Sequence, residues 1–390
     1  MVMFEGPRAA RIQELPEVIK LVSWIFGFDR YGISIDKVFP QVFSENNLEN
    51  LRVIVRDGRV VSHLGIWEGL LYFYGIQFKV GLIGCVCTHP DYRMRGYASI
   101  LVDDALSKLR RDGIDLAMIS GARTLYSRAG CVESGIIYDY HISVEAARLL
   151  AEHMDRMKIE KYTEDRILDL IDVYQREPVR FRRSYEEFKL LVDRIYTAGI
   201  EARGYVSILL SYRMGRPVAY IVLLHRWPGW RSDLLAVIEY AGSRSAILGM
   251  LYDALRMFEA NCIRLPVPYG DWDLVTLLES YGLKPISSYA PASFAILDPI
   301  KFIDKIRPYI EERIGVEGFK ISSYDKYIEL YASGKSMRIE DPRVLTALIL
   351  GRPSVVHNTR DDIRINMEAI PEVFKRVMPL PSISYGLNYI

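Results

Sequence analysis

The residues with the clearest chemical potential lie between Gly84 and Ala98, where an apolar stretch ends at a His-Pro turn. A loop reading Arg-x-x-Gly-x-Ala follows, with Arg93 and Gly96 at its fixed positions, and it leads directly into an amphipathic segment. This order of strand, glycine-containing loop and helix points free backbone N–H groups and the positive end of a helix dipole at one spot, which suits phosphate oxygens. The loop lacks both the Gly-Lys-Ser/Thr ending of ATP-binding loops and the three-glycine dinucleotide fingerprint.

A second candidate follows the next predicted strand, where Tyr126 falls in a short helical turn that ends before Gly130 and Cys131. The two segments together resemble the hallmarks of the GNAT acetyltransferases, because the loop is similar to their Gln/Arg-x-x-Gly-x-Gly/Ala pyrophosphate loop. The resemblance implies that Tyr126 gives a proton to the CoA thiolate as it leaves, which a phenol with a pKa of about 10 can do. The alternative is a core or stacking tyrosine, one of the 26 in the chain.

The same resemblance implies where acetyl-CoA binds. In this family two neighbouring strands separate, and the pantetheine arm lies along the exposed edge like an added strand. That would place pantetheine on the backbone of Cys85, Val86 and Cys87, with the Val86 N–H as donor to the acetyl oxygen. We therefore expect acetyl-CoA as co-substrate and no metal. The residues expected to bind the pyrophosphate are Arg93, Met94, Arg95, Gly96, Tyr97 and Ala98.

Transfer to an amine also requires a base, because an alkyl amine with a pKa of about 10 is protonated at neutral pH. Nothing near the motifs stands out, and His89, before the loop, is expected to be structural or to lie at the phosphate edge. The whole chain resembles the enhanced-intracellular-survival (Eis-like) type of GNAT protein, whose members use their own terminal carboxylate. Here that group belongs to Ile390, and burial of the apolar tail would raise its pKa to a useful value. A frayed terminus is the alternative.

Hydrophobic patterning predicts the elements that position these residues. Residues 51–67 predict a β-hairpin that turns at Asp57-Gly58, since this pair supplies the positive φ angles of a two-residue turn. Third and fourth strands are expected at 71–74 and 81–87. The early aromatic residues are candidates for the wall of an acceptor cavity, with ordinary core as the alternative: Trp24, Phe26, Phe28, Tyr31, Trp67 and Tyr72.

The fourth strand and the loop lead into a predicted helix over 98–109, which Gly113 ends, and then into a buried strand at 115–120. A similar order recurs between about 150 and 297, with another hairpin at 205–224. The loop at 241–245 lacks the phosphate-binding pattern, so we expect a duplicated fold without a second acetyl-CoA site.

These patterns predict an α/β (α+β) protein with a repeated unit and a small third α+β domain, and the resemblance implies tandem GNAT folds with mixed central sheets. The predicted domains are residues 1–148, the catalytic GNAT domain, and residues 149–297, a GNAT-like domain without the pyrophosphate loop. Residues 298–390 would form the third domain, which the Eis-like resemblance relates to sterol carrier proteins.

Composition narrows the function further. The 390-residue chain has a net charge of +1 and no basic face for nucleic acid, and the cluster Arg180–Arg183 is expected to be solvated. No apolar run reaches the roughly 20 residues of a membrane span. The four cysteines lie in apolar surroundings without metal-ligand spacing, as expected of reduced thiols in a cytoplasmic protein.

The sequence thus predicts an N-acetyltransferase that moves the acetyl group of acetyl-CoA to a primary amine in a ternary complex. The acceptor could be a small molecule, aminoglycoside-like or a polyamine, or a peptide lysine. The alternative is a non-catalytic acyl-CoA sensor or lipid carrier. We expect neither nucleic acid nor membrane as a partner, and family analogy leaves a homo-oligomer possible.

Overall fold

The computed structural model describes residues 4–154, 157–201, 204–226, 234–315, 319–353, 363 and 370–390. These residues form two large mixed β-sheets, one small sheet and the helices packed on them, which confirms the predicted α/β class. We call residues 4–143 the first unit. Its elements are β1 (Phe4–Ala9), α1 (Leu15–Phe26), α2 (Ile35–Val38), β2 (Leu51–Arg56), β3 (Arg59–Phe73), β4 (Ile76–Thr88), α3 (Tyr97–Arg111), β5 (Leu116–Ser120), α4 (Thr124–Arg128), β6 (Val132–Glu133) and β7 (Ile136–Ser143).

The predicted hairpin at Asp57-Gly58 is present, with positive φ at both turn residues. The prediction of a separate third strand at 71–74 is wrong, because β3 continues without a break to Phe73. It turns at Tyr74-Gly75, both with positive φ, and returns as β4. The two strands therefore form one long hairpin that carries the candidate strand edge.

The second unit, residues 144–297, repeats the order of hairpin, strand, helix and strand. Its elements are α5 (Val144–His153), β8 (Lys158–Lys161), α6 (Ile167–Tyr174), β9 (Val179–Phe181), α7 (Tyr185–Glu201), β10 (Gly204–Arg213), β11 (Arg216–Arg226), β12 (Leu234–Gly242), α8 (Arg244–Met257), β13 (Cys262–Pro268), α9 (Trp272–Ser280), β14 (Ile286–Tyr289) and β15 (Ala292–Ile296).

The two large sheets exchange strands. The first sheet has the order β1-β2-β3-β4-β5-β15-β6, with β9 paired to β3, and the second has the order β14-β7-β13-β12-β11-β10-β8. Thus β7 leaves the first unit to pair with β13, while β15 of the second unit pairs with β5. Because each exchanged strand lies on the other side of residue 148 from most of its sheet, the two sheets do not follow that predicted boundary.

The parallel strands β4 and β5 separate at the candidate site. They pair from Val80 with Leu116 to Ile83 with Ile119 and no further. Immediately beyond, β4 contains a one-residue bulge, where Cys85 has a φ of +54°. A bulge bends its strand and re-aims the backbone groups, so β4 turns away from β5 and an edge opens between them.

The third unit, residues 298–390, docks against the first. The α10 residues Lys301 and Lys305 pair with the fully buried Asp115, at 3.4 and 2.5 Å. Apolar side chains of the third unit join the same core as the first sheet. Its elements are α10 (Pro299–Ile314), β16 (Lys320–Ser323), β17 (Ile328–Ala332), β18 (Lys335–Ile339), α11 (Pro342–Leu350) and α12 (Glu372–Lys375). In the part of the chain that the structure describes, no helix combines the length and apolar character needed to cross a membrane.

Candidate active site

The predicted phosphate loop forms the start of α3. Gly96, with a φ of +79°, is the residue before the helix, and its carbonyl accepts the Ile100 N–H at 3.0 Å. Within the described residues, no acid lies in the first turn and no side chain caps it. The Arg93 Nε donates to the Thr88 carbonyl at 3.2 Å, and an Arg95 Nη donates to the Asp91 carbonyl at 3.2 Å. The loop therefore presents an uncapped helix start beside two arginines, a setting that favours an anion.

The edge of β4 beyond Ile83 carries Cys85, Val86 and Cys87. On one side Cys87 faces His63 of β3, whereas on the other side the ladder between β4 and β5 ends at Ile83. An extended ligand could hydrogen-bond to this edge as an added strand does. Burial raises the pKa of the Cys87 thiol to about 12, so this thiol stays protonated at neutral pH.

Tyr126 lies on α4, behind the opening, with only 2% of its surface exposed. Its carbonyl accepts the Cys131 N–H at 2.9 Å, which closes the turn at Gly130. Burial raises the pKa of the Tyr126 phenol, while the nearby Arg123 guanidinium opposes the rise. The phenol is therefore protonated at neutral pH, as a proton donor must be.

The last residue of the chain lies at the same opening. The Ser120 Oγ, at the end of β5, donates to the Ile390 backbone oxygen at 2.5 Å, and Ile390 is 3% exposed. A Cβ placed on Gly84 would come within 2.7 Å of the Ile390 carbonyl carbon, so only glycine fits there. Strand separation at Ile83 thus leaves a space that the chain terminus enters.

Ser120 and Tyr385 are site residues that the sequence reasoning missed. Tyr385 is buried, with 4% of its surface exposed. Burial raises the pKa of this phenol, which Ser120, Tyr389 and Tyr126 also influence, so it lies among them. Ser120 could have been predicted from its position at the end of the strand that follows the phosphate loop and helix. No feature of the sequence pointed to Tyr385, which lies on the C-terminal tail.

The other candidates are dispersed. His89 accepts the Asp91 N–H through Nδ1 at 3.3 Å and its ring lies 5.2 Å from that of Trp24. Of the six aromatic residues considered for an acceptor cavity, Phe28 is buried in the core. Trp24, Phe26 and Tyr31 are exposed, Trp67 packs edge-on against Phe181, and Tyr72 lies under Arg180.

In the matching loop of the second unit, polar groups already form hydrogen bonds with other groups of the protein. The Ser243 Oγ accepts the Ala246 N–H at the start of α8, at 3.3 Å. The Glu177 carboxylate accepts the Gly242 N–H at 2.7 Å and two bonds from Arg244, at 2.7 and 2.8 Å. A carboxylate of the chain itself thus occupies the position that a phosphate would need.

A cavity of about 730 Å³ lies where β12 and β13 of the second unit separate, and the C-terminal segment borders it. Its walls include Tyr240, Tyr269, Trp272 and Ser384. None of the residues predicted for acetyl-CoA or catalysis lines it. Among the described residues, no group of three histidines, cysteines or acids is placed to hold a metal ion, and none of the four cysteines forms a disulfide.

Sequence comparison matches the first unit. Residues 7–133 match the family model described as an acetyltransferase (GNAT) domain. An amino-acid acetyltransferase from Mannheimia succiniciproducens is 25% identical over 122 residues, which is 31% of this chain and 25% of that protein. The chain therefore spans only a quarter of that relative's length.

Solved structures match over most of the chain. A conserved protein from Enterococcus faecalis V583, described as a probable N-acyltransferase, has a TM-score of 0.62 at 14% identity, covering 90% of both chains. Eis1 from Mycobacterium abscessus has a TM-score of 0.57 at 13% identity, again covering 90% of both. At these identities the likeness establishes the fold, and the predicted tandem GNAT-like arrangement is confirmed.

Proposed function

We propose that this chain, which carries a GNAT acetyltransferase domain over residues 7–133, transfers an acetyl group from acetyl-CoA directly to a primary amine. The acceptor would be an aminoglycoside-like or polyamine molecule, or a lysine side chain. One observation carries the proposal: the terminal residue Ile390 meets Ser120 and Gly84 where β4 and β5 separate, a few residues from the edge proposed for pantetheine.

In the proposed reaction the Ile390 carboxylate takes a proton from the acceptor ammonium. The neutral nitrogen then attacks the thioester carbonyl carbon, so that a C–N bond forms and the C–S bond breaks. Tyr126 gives its phenolic proton to the departing sulfur, and the second proton lost by the acylated nitrogen restores the Tyr126 phenol. The Val86 N–H donates to the acetyl oxygen. Direct attack is favoured over a covalent enzyme intermediate at Cys87, because burial keeps that thiol protonated.

The proposed binding of acetyl-CoA follows the same geometry. Pyrophosphate would lie at the α3 start, on residues 93–98, where Arg93 and Arg95 add positive charge. Pantetheine would lie along the backbone of Cys85, Val86 and Cys87, just beyond the point where the β4–β5 pairing ends at Ile83. The second unit would bind no acetyl-CoA, because Glu177 and Ser243 already accept hydrogen bonds from backbone N–H groups at the start of its helix α8.

The fold likeness to Eis1 supports placing the chain in the enhanced-intracellular-survival type. On that assignment the third unit would be the sterol-carrier-like domain, and a homo-oligomeric cytoplasmic protein is the expected form. Sedimentation would test the oligomer: a monomer at micromolar concentration would contradict it.

Thiol release from acetyl-CoA across a panel of amines tests the reaction. Wild type should release thiol only when an accepted amine is present, and Tyr126→Phe should bind CoA normally but turn over about 100-fold more slowly. Tyr140→Phe is the matched control, since Tyr140 is equally buried but lies in the second sheet, and we expect wild-type rates from it.

Two results would contradict the proposal in different ways. Tight CoA binding without release for any amine would favour a non-catalytic acyl-CoA sensor. Amine-dependent release at the wild-type rate from Tyr126→Phe would keep the transferase and remove Tyr126 from the proton-donor role.

A further inference from the structure

A buried ion pair of the second unit holds the C-terminal tail, defined here as residues 385–390. Arg183 and Glu239 form two bonds, of 3.0 and 2.7 Å, and their side chains are 1% and 7% exposed. Each also binds the tail: the Arg183 Nε donates to the Asn388 Oδ1 at 2.8 Å, and Glu239 accepts the Leu387 N–H at 2.8 Å. The expectation that the cluster Arg180–Arg183 is solvated is therefore wrong at Arg183, because its tail and carboxylate partners bury it.

Arg183 and Glu239 stay charged although both side chains are buried away from solvent. Burial opposes ionisation of Glu239, but Arg183 and the bonds from the Tyr220 hydroxyl and the Leu387 N–H outweigh it and hold the pKa of Glu239 below its usual range. A buried ion pair gains little net stability of its own, since desolvation offsets the attraction. Apart from the bond from Tyr220, the pair's other hydrogen bonds are made with two consecutive residues of the tail, Leu387 and Asn388.

Arg194 on α7 makes a second set of contacts with the tail. Its guanidinium donates to the Leu387 carbonyl and, at 2.7 Å, to the Tyr389 carbonyl. It also donates at 2.9 Å to the Val38 carbonyl of the first unit, and it lies over the Phe39 ring. One buried arginine thus ties the tail's backbone to both large units, one residue before the chain ends.

We propose that Arg183, Glu239 and Arg194 of the second unit are positioning residues that place the Ile390 carboxylate at the active site of the first unit. This inference rests on the proposed function, because it assigns the carboxylate a catalytic position. The second unit thereby contributes to a reaction whose cofactor loop it lacks. Three of its side chains bind residues 387–389. Because Ile390 follows directly, these contacts also limit where its carboxylate can lie.

The test removes the Arg194 contacts and the Arg183–Asn388 contact separately in the full-length chain. Arg194→Gln removes the fork that binds two tail carbonyls, and Asn388→Ala removes the acceptor for Arg183 from the tail side. We expect kcat to fall about 10-fold or more in each, with the KM for acetyl-CoA within about twofold of wild type, since misplacing a reacting group costs rate. Arg194→Lys, which keeps the charge and donors, should recover part of the kcat.

A second readout needs no activity. Carboxypeptidase should release Ile390 slowly from wild type, where it is 3% exposed, and about 10-fold faster from Arg194→Gln and Asn388→Ala. The control is Arg244→Gln, which breaks half-buried ion pairs with Glu177 and Asp271 in the second unit but has no described contact with residues 387–390. It should lose thermal stability while keeping the kcat and the protected terminus.

The positioning role is overturned if either tail variant keeps the wild-type kcat, if the terminus stays protected in both, or if Arg244→Gln causes the same losses. Failure of the proposed function is separate: wild type would then transfer no acetyl group to any amine. In that case the carboxypeptidase comparison alone still decides whether the second unit holds the tail.

Discussion

The two large units carry the same strand geometry and use it for different ends. In the first unit β4 leaves its parallel partner after Ile83 and bulges immediately beyond. In the second, β12 leaves β13 after Ala236 and has a one-residue bulge at Ile238. Each strand then leads through a loop into a helix. The backbone framework has therefore been kept in both copies.

The difference lies in the groups that meet the helix start and the strand edge. The first unit has an uncapped α3 start preceded by Gly96, and the space between its strands receives Ile390. The second unit has its helix start capped by Ser243, its anion position filled by Glu177, and its bulged strand bound to the tail through Glu239. On the proposed function, a few polar side chains distinguish a ligand site in one unit from a support for that site in the other.

The largest expected effect comes from moving the end of the tail. A Gly-Ser extension after Ile390 would move the terminal carboxylate away from Ser120, because Ile390, now 3% exposed, would no longer be the last residue. We expect kcat for acetyl transfer to fall about 100-fold or more, the usual contribution of a general base. The same dipeptide added at the N-terminus is the control. Full activity with the C-terminal extension would end the role of Ile390.

The next effect tests the difference between the loops. Gly96→Asp places a carboxylate at the α3 start, as Glu177 does in the second unit, and aspartate tolerates the left-handed backbone there better than most residues. We expect the KM for acetyl-CoA to rise about 30-fold, because the carboxylate competes with phosphate for the helix start. Gly58→Asp, at another exposed turn glycine with positive φ, should keep the wild-type KM. An unchanged KM in Gly96→Asp would refute the loop assignment.

The converse change should not restore a site in the second unit. Glu177→Gln removes one of the two carboxylates that pair with Arg244, and we expect the free energy of unfolding to fall by about 2 kcal/mol. Acetyl-CoA should still bind once per chain, because Ser243 continues to cap α8. Calorimetric titration measures the stoichiometry, with Glu152→Gln, in an exposed pair on α5, as the control. Two molecules bound per chain would show that Glu177 alone closes the second site.

The sequence predicted the strand–loop–helix segment and the duplicated order because these depend on local patterning. Turn glycines, helical periodicity and the loop motif all lie within short windows around Asp57, Gly96 and Gly113. It did not predict the exchange of β7 and β15, since pairing between distant strands leaves no local trace. The burial of Arg183 was missed for the same reason: its partner Glu239 lies 56 residues away and its tail partner Asn388 lies 205 away.

The smallest expected effect is a pH dependence of folding stability that arises from a histidine present only in the first unit. His63 of β3 lies beside the β4 bulge, fully buried, where the second unit has Val222. Burial lowers the pKa of His63 to about 3, so the folded chain keeps it neutral while the unfolded chain protonates it below its ordinary value of 6.5. Stability from this residue is therefore complete above pH 6.5 and is lost as the pH falls toward 3.

Between pH 6.5 and 5, above the range where most carboxylates titrate, His63 should cost the wild type about 1.5 kcal/mol of unfolding free energy. His63→Leu should flatten the dependence over this interval, whereas replacing the exposed His153 with glutamine should leave it unchanged. Urea denaturation at several pH values measures both. An equally steep loss of stability in His63→Leu would assign the titration to another group and remove this distinction between the two units, because Val222 has no proton to gain.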